Sequence, residues 1–246
     1  MANVVNKSPS MTHSEATFNY KMLHPCLEAT VDLLGHEIHP EPYYVPGEEP
    51  LEAMIEQLVL TGSKVDRRKV YNADGIIRLR DFYDIEVLLL ETAGHFQNKE
   101  TRKICFDNSK GMFALLAMLK STADRFSRAT LETFRNLKFY FVQASDEHIR
   151  LWSAQYASNG IYKFALEDKV EVTEDRQQVQ QSSVSLLDFF FNVKTCLAKT
   201  FTVLQKLQRE DEENNVVSSQ EVLLPEIICP EIFRLAYNTH GKGFGT

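Results

Sequence analysis

The run V-Y-N-A-D-G-I-I-R-L-R-D-F-Y-D-I-E-V-L-L-L-E-T, from Val70 to Thr92, decides the fold of this chain. Val70 to Leu79 alternates loosely between apolar and polar residues, which predicts a strand. Asp81-Phe82-Tyr83-Asp84 reads as a turn. Ile85 to Thr92 is a dense apolar run of strand length, expected to be buried on both faces. Joined as one antiparallel hairpin, the two segments pair residues of constant index sum. A turn centred between Phe82 and Tyr83 then sets Asp74 opposite Glu91. Opposed residues in such a pair have Cβ atoms about 4.5–5.5 Å apart. Two carboxylates that close repel unless a cation or a proton lies between them. Mg²⁺ resolves the conflict, because one or two carboxylates, waters and substrate phosphates suffice to hold it. Asp74 and Glu91 are therefore the candidate metal ligands. The plainer alternative makes Glu91 a strand-end carboxylate that meets solvent or pairs with Arg78 or Arg80.

Working outward, Ser14 is placed to cap a helix in which Phe18, Met22, Leu23, Leu27, Val31 and Leu34 keep helical spacing, with a kink or a division into two short helices expected at Pro25. His39 to Pro50 carries four prolines and reads as a loop. Leu51 to Leu60 reads as a second helix. Beyond the hairpin, Lys110 to Phe126 is expected as a helix with Met112, Leu115, Leu116, Leu119, Ala123 and Phe126 in its buried stripe. Leu137 to Ala144, His148 to Tyr156, Ile161 to Leu166 and Lys169 to Val172 read as strands. Asn159-Gly160 is a strong hairpin turn, since both central residues of a type I′ turn need positive φ. Ser185 to Leu207 reads as a long helix. The fold class is thus α/β (α+β), a central mixed sheet flanked by helices.

The chain has 246 residues, 43% hydrophobic and 25% charged, enough for one large core. The expected organisation is a disordered N-terminus at 1–13, a domain at 14–209 and an acidic, flexible tail at 210–246 that would meet a protein partner. Cys26, Cys105, Cys196 and Cys229 are far apart and read as reduced core thiols. No apolar run approaches the roughly 18 residues of a membrane span, and the first residues lack the apolar stretch of a secretory signal. An intracellular protein, nuclear or cytoplasmic, is expected. The net charge of −7 argues against non-specific coating of nucleic acid. A local basic segment with Arg67, Arg68, Lys69, Arg78 and Arg80 nevertheless stands out, either as a contact for a nucleic-acid backbone or as a solvated surface. Trp152 is expected in the core. Glycine motifs for nucleotides and the nucleophile-elbow motif are absent from the sequence.

The stretches Asn72-Ala73-Asp74-Gly75-Ile76-Ile77 and Leu89-Leu90-Glu91-Thr92-Ala93-Gly94 resemble the two motifs of the PD-(D/E)XK nuclease superfamily, whose restriction-endonuclease-like core runs α-β-β-β-α-β. Ser14-Glu15 resembles the acidic first helix of some members and adds Glu15 to the candidate catalytic residues. Asp107-Asn108-Ser109-Lys110, Tyr140-Phe141-Val142-Gln143 and Ile149-Arg150-Leu151-Trp152 resemble a fungal group of this kind. The resemblance covers roughly Ser14 to Leu207. It implies phosphodiester hydrolysis with Mg²⁺ on Asp74 and Glu91. One departure is plain: the lysine of the E-x-K triplet is replaced by Ala93. Lys110 or Lys103 would supply the cation from the following helix, unless both are solvated. A catalytically inactive descendant, serving as an interaction module for protein or nucleic acid, is the alternative.

Overall fold

A computed structural model describes residues 10–60, 71–174, 179–215 and 222–232 of the chain. Helix α1 (Glu15–Phe18) runs through a π-helical turn (Asn19–Leu23) into α2 (His24–Gly35). Strand β1 (Pro42–Pro50), helix α3 (Glu52–Leu60), and strands β2 (Asn72–Leu79) and β3 (Glu86–Thr92) follow. Then come α4 (Thr101–Arg125), α5 (Leu131–Phe134), β4 (Phe139–Ser145), β5 (His148–Ser158) and β6 (Ile161–Glu171). Helices α6 (Val179–Asn214) and α7 (Leu224–Ile227) complete the order.

The six strands form one mixed sheet in sequential order, with helices on both faces. Only β3 and β4 are parallel; the other neighbours are antiparallel. Parallel neighbours need a crossover, and α4 supplies it. Both central strands are buried along their whole length, as the leucine run of β3 predicts. Helix α4 covers the face that carries Phe141, and α6 covers the face that carries Tyr140, where Thr200 donates to the Lys138 carbonyl at 2.7 Å. The α-β-β-β-α-β order is present, with α3 inserted between the first two strands.

The expected hairpin register holds where it matters. Gly75 pairs with Leu90, Ile76 with Leu89 and Ile77 with Leu88, and a bulge then moves Arg78 onto Glu86. The irregularity falls on the turn side, so continuing the intact register places Asp74 across from Glu91. At the turn, Asp81, Tyr83 and Asp84 all take positive φ. Asn159 (φ 49°) and Gly160 (φ 74°) make the expected tight turn between β5 and β6.

Several expectations need correction. The proline-rich segment is a strand, not a loop. As β1 lies at the sheet edge, its prolines remove no central ladder bond. At Pro25 the expected break is present: a π turn separates the short α1 from α2, and Pro25 sits in the first turn of α2, where its missing N–H is tolerated. Helix α4 begins at Thr101, nine residues before the expected start; its first half carries a polar stripe in place of an apolar period, and its N-cap, Glu100, makes no side-chain capping bond that would mark the start. The last strand pair is one strand, β6, interrupted by a register shift. Two segments placed in the tails are packed. Met11 is buried, and its N–H donates to Glu174 Oε1 at 2.9 Å. Leu224 and Ile228 are buried, and the Leu224 N–H donates to the Ser127 carbonyl. The cysteines are free thiols, but Cys105 and Cys229 are exposed and not in the core. Trp152 is half-buried, stacked on Phe164 at 5.1 Å between ring centroids. Among the described residues no helix is long and apolar enough to cross a membrane.

Candidate active site

The first half of α4 turns Lys103, Asp107 and Lys110 toward one end of the sheet. Their spacing of four and three residues places them on one helix face. Below Lys110, Gly111 packs against Phe141 so closely that a Cβ there would lie 2.5 Å from the ring. That close approach brings the helix backbone down onto β4 and lets Lys110 reach β3.

The Lys110 ammonium donates to Glu91 Oε1 at 2.7 Å and to the Asn72 carbonyl at 2.7 Å. It also lies 4.3 Å from the centre of the Tyr71 ring. Lys110 is therefore no solvated helix-start lysine; it is the cation that meets Glu91, from a helix and not from the strand position held by Ala93. Lys103 is likewise engaged, 2.5 Å from Glu15 Oε2. The Ser14 hydroxyl accepts from the Thr17 N–H, so the capped start of α1 fixes Glu15 over this end of the sheet. In the π turn, Asn19 accepts from the Thr92 hydroxyl at 2.7 Å, tying α1 to the end of β3. Asp74 Oδ2 accepts the Thr92 N–H at 2.6 Å.

The electrostatics follow from burial. Glu91 is 4% exposed, and its carboxyl is pushed up to about 8 by desolvation, against the lowering influence of Lys110. Asp74 is raised to about 6 by burial and by the charge of Glu15, with the Thr92 N–H and both lysines opposing. Asp107 is raised to about 7 by burial, which Lys103 and Lys110 only partly offset. Burial works against the charge of Lys103, but the bond and charge of Glu15 outweigh it and raise that lysine. The Tyr71 hydroxyl is buried and held well above its ordinary value, first by desolvation and then by neighbouring Glu91, yet it makes no hydrogen bond of ordinary geometry.

Four predicted site residues, Glu15, Asp74, Glu91 and Lys110, thus meet in one cluster. Of the predicted nucleic-acid contacts, Arg78 and Arg80 do not join them. Arg67, Arg68 and Lys69 lie outside the described residues. Arg78 is 7% exposed and belongs to the interior: it donates to Glu49 Oε1 at 2.7 Å, to Glu86 Oε1 at 3.1 Å and to the Pro50 carbonyl. Glu86 in turn accepts the Glu52 and Ala53 N–H groups at the start of α3, so Arg78 is a structural cation and not a surface contact. Arg80 is exposed and lies over the Tyr43 ring, but it is six positions along the chain from Asp74, just past the far end of β2, a separation of about 20 Å at strand rise.

Two cluster members escaped the sequence reading of the chemistry, Asp107 and Gln143. Gln143 neighbours Glu91 in the parallel register, donates to the Ile104 carbonyl and accepts from Trp152 Nε1. The 103-107-110 spacing, and the segment Asp107-Asn108-Ser109-Lys110 quoted above only for its resemblance, were the available signals for Asp107.

The donor set suits a hard cation. Carboxylate oxygens are the ligands Mg²⁺ takes, and Asp107 Oδ2 is buried with no partner. Among the described residues no three His, Cys, Asp or Glu side chains are gathered closely enough to hold a metal by themselves. A cation here would therefore rest on two carboxylates and complete its shell with water or substrate oxygens. A scan against protein-family models, a search of curated proteins and a search of solved structures each gave no match.

Proposed function

We propose that the chain is a PD-(D/E)XK-like, Mg²⁺-dependent hydrolase of nucleic-acid phosphodiesters, with Asp74, Glu91 and Lys110 at its centre. The observation that carries the reading is the 2.7 Å contact of the Lys110 ammonium with Glu91 Oε1. It supports a lysine relocated from the E-x-K triplet to the next helix. When bound, Mg²⁺ would supply a lowered pKa to its water and neutralise charge on the phosphate. Asp74 and the second oxygen of Glu91 are the groups that would hold it. Lys110 would set its positive charge beside the phosphate oxygens, where preorganised cations lower the barrier. Glu15 would hold Lys103 at the rim, and buried Thr92 would keep Asp74 oriented through its N–H.

The test is cleavage of single- and double-stranded DNA and RNA with Mg²⁺ or Mn²⁺, comparing the wild type with Asp74→Ala and Glu91→Ala. The expected result is cleavage by the wild type and a loss of at least about 100-fold in each variant, about 2.7 kcal/mol of barrier. Cleavage that survives both substitutions removes these acids from the mechanism.

A second reading has its own support. Both lysines close on carboxylates, and the net charge is −7. A cluster neutralised in this way serves equally well in an inactive interaction module. Binding of nucleic acid without cleavage by the wild type would favour that role.

A further inference from the structure

Charge pairing in the cluster leaves one acid over. Lys103 is taken by Glu15 and Lys110 by Glu91. Asp74 has the Thr92 N–H. Asp107 is 5% exposed, and its Oδ2 is buried with no hydrogen-bond partner. It shares a helix face with Lys103 and Lys110, both held in the cluster, and is buried between them, so the side chain faces the cluster and not solvent; the charges of those lysines, Asp74 and Glu15 act on it there. Nothing local requires an acid here. Aspartate is a weak helix former away from the first turn, and position 107 is inside a 25-residue helix. A buried carboxylate oxygen without a donor is costly, and most such groups in folded proteins have a partner.

We infer that Asp107 is a ligand for a divalent cation at this site, acting together with Asp74. The inference rests on the proposed reading of the cluster as a cation site and revises its ligand set: Asp107, which the two strand motifs do not supply, takes the place given above to the second oxygen of Glu91. Its chemistry is that of a hard, oxygen-seeking ion such as Mg²⁺ or Mn²⁺, held by two carboxylates and otherwise by water. The division of labour is specific. Glu91 is the counter-ion that keeps Lys110 in place, and α4 returns a carboxylate three residues before that lysine. Acid and lysine reach the site from one helix face, so the geometry of the pair is set by a single rigid element.

The probe is Mn²⁺ alone, followed by its free-ion paramagnetic resonance signal during titration of the full chain at fixed pH. Wild type, Asp107→Asn, Asp74→Asn and, as a remote control, Glu132→Gln are compared, with thermal melting in chelator to verify folding. Expected are one Mn²⁺ per wild-type and Glu132→Gln chain, and at least tenfold weaker binding in both cluster variants. An Asp107→Asn affinity within threefold of wild type overturns the inference, as does a wild type that binds no Mn²⁺. If Asp107→Asn does not fold, the wild type decides: bound Mn²⁺ must broaden the amide signals of Asn108 and Gly111 and spare Val193 in α6, and the reverse pattern overturns it. Mn²⁺ held through Asp107 by a chain that cleaves nothing would refute the hydrolase and keep the site. Cleavage unaffected by Asp107→Asn would refute the site and keep the hydrolase.

Discussion

Lys110 links the sheet to the helix above it, and its removal has a calculable effect. Glu91 would lose the ammonium partner it has among the described residues, at a side chain that is 5% exposed. Breaking a buried pair from one side costs about 3–5 kcal/mol. Glu91 can take up a proton at neutral pH, so Lys110→Met is expected to cost less, about 1–3 kcal/mol. Denaturant unfolding of Lys110→Met, Glu91→Gln and the double variant measures it. The double variant should recover much of the loss, because the unpaired charge disappears with Glu91. A double variant that is as unstable as the sum of the singles would show that the pair is not coupled. The acids were legible from sequence because a hairpin has simple arithmetic: one turn position fixes every partner. The lysine was named only through the resemblance, and only as one of two, because its placement depends on how a helix lies across the sheet. No local pattern distinguishes a lysine that reaches inward from one that is solvated.

At the scale of the element, α4 carries most of what is unusual. Its second half follows an apolar stripe that was read in part: Leu115, Leu119, Ala123 and Phe126 are buried as expected, whereas Met112 and Leu116 are only half-buried and Ala114 and Met118 face the core instead. Its first half turns charged residues inward, which removes the hydrophobic period on which such readings depend. The helix therefore seemed shorter than it is. Gly111, where the two halves meet, is the point of closest approach to the sheet. Phe141 is fully buried and has no room to retreat. Gly111→Ala should favour the isolated helix by about 1 kcal/mol but overpack the interface, which costs about 1–3 kcal/mol. A net loss in thermal stability is expected, accompanied by a weaker Lys110–Glu91 contact. Thermal melting, together with the ¹⁵N shift of the lysine ammonium, tests both parts, and a variant of higher melting temperature would contradict the packing argument. β1 was misread for a different reason: proline density marks a loop only where a strand would need every N–H, and an edge strand does not.

For the molecule as a whole, stability in acid is tied to contacts far from the cluster. Glu210, on α6, accepts the Thr130 N–H and the hydroxyls of Thr130 and Thr133 at the start of α5. Burial opposes its charge, but these bonds win and hold its carboxyl below the ordinary 4.5. A depressed carboxyl binds fewer protons in the folded state than in the unfolded one. Its stabilisation is therefore complete above about pH 4.5 and is lost as the pH falls through the folded value. Urea unfolding from pH 6 to pH 3 should show wild type losing stability faster than Glu210→Gln over the lower half of that range. Parallel curves would remove Glu210 from the acid transition. The overall architecture was legible because the buried strands and the long apolar helix announce themselves by length and period. The packing of 222–232 was not, since its apolar pieces, Val222-Leu223-Leu224 and Ile227-Ile228, are short, broken by Pro225 and Pro230, and too brief to show a period, while the surface they meet on α4 exists only in the folded chain.

The three prolines of β1 have a consequence for the company this sheet can keep. Pro42, Pro46 and Pro50 offer no amide hydrogen, and a bulge between Pro46 and Glu49 bends the strand. An incoming strand from another chain would find a broken row of donors there. Sideways growth of the sheet, in assembly or in aggregation, is thereby denied at one margin, and the eleven-residue β6 is left as the margin where backbone pairing could continue.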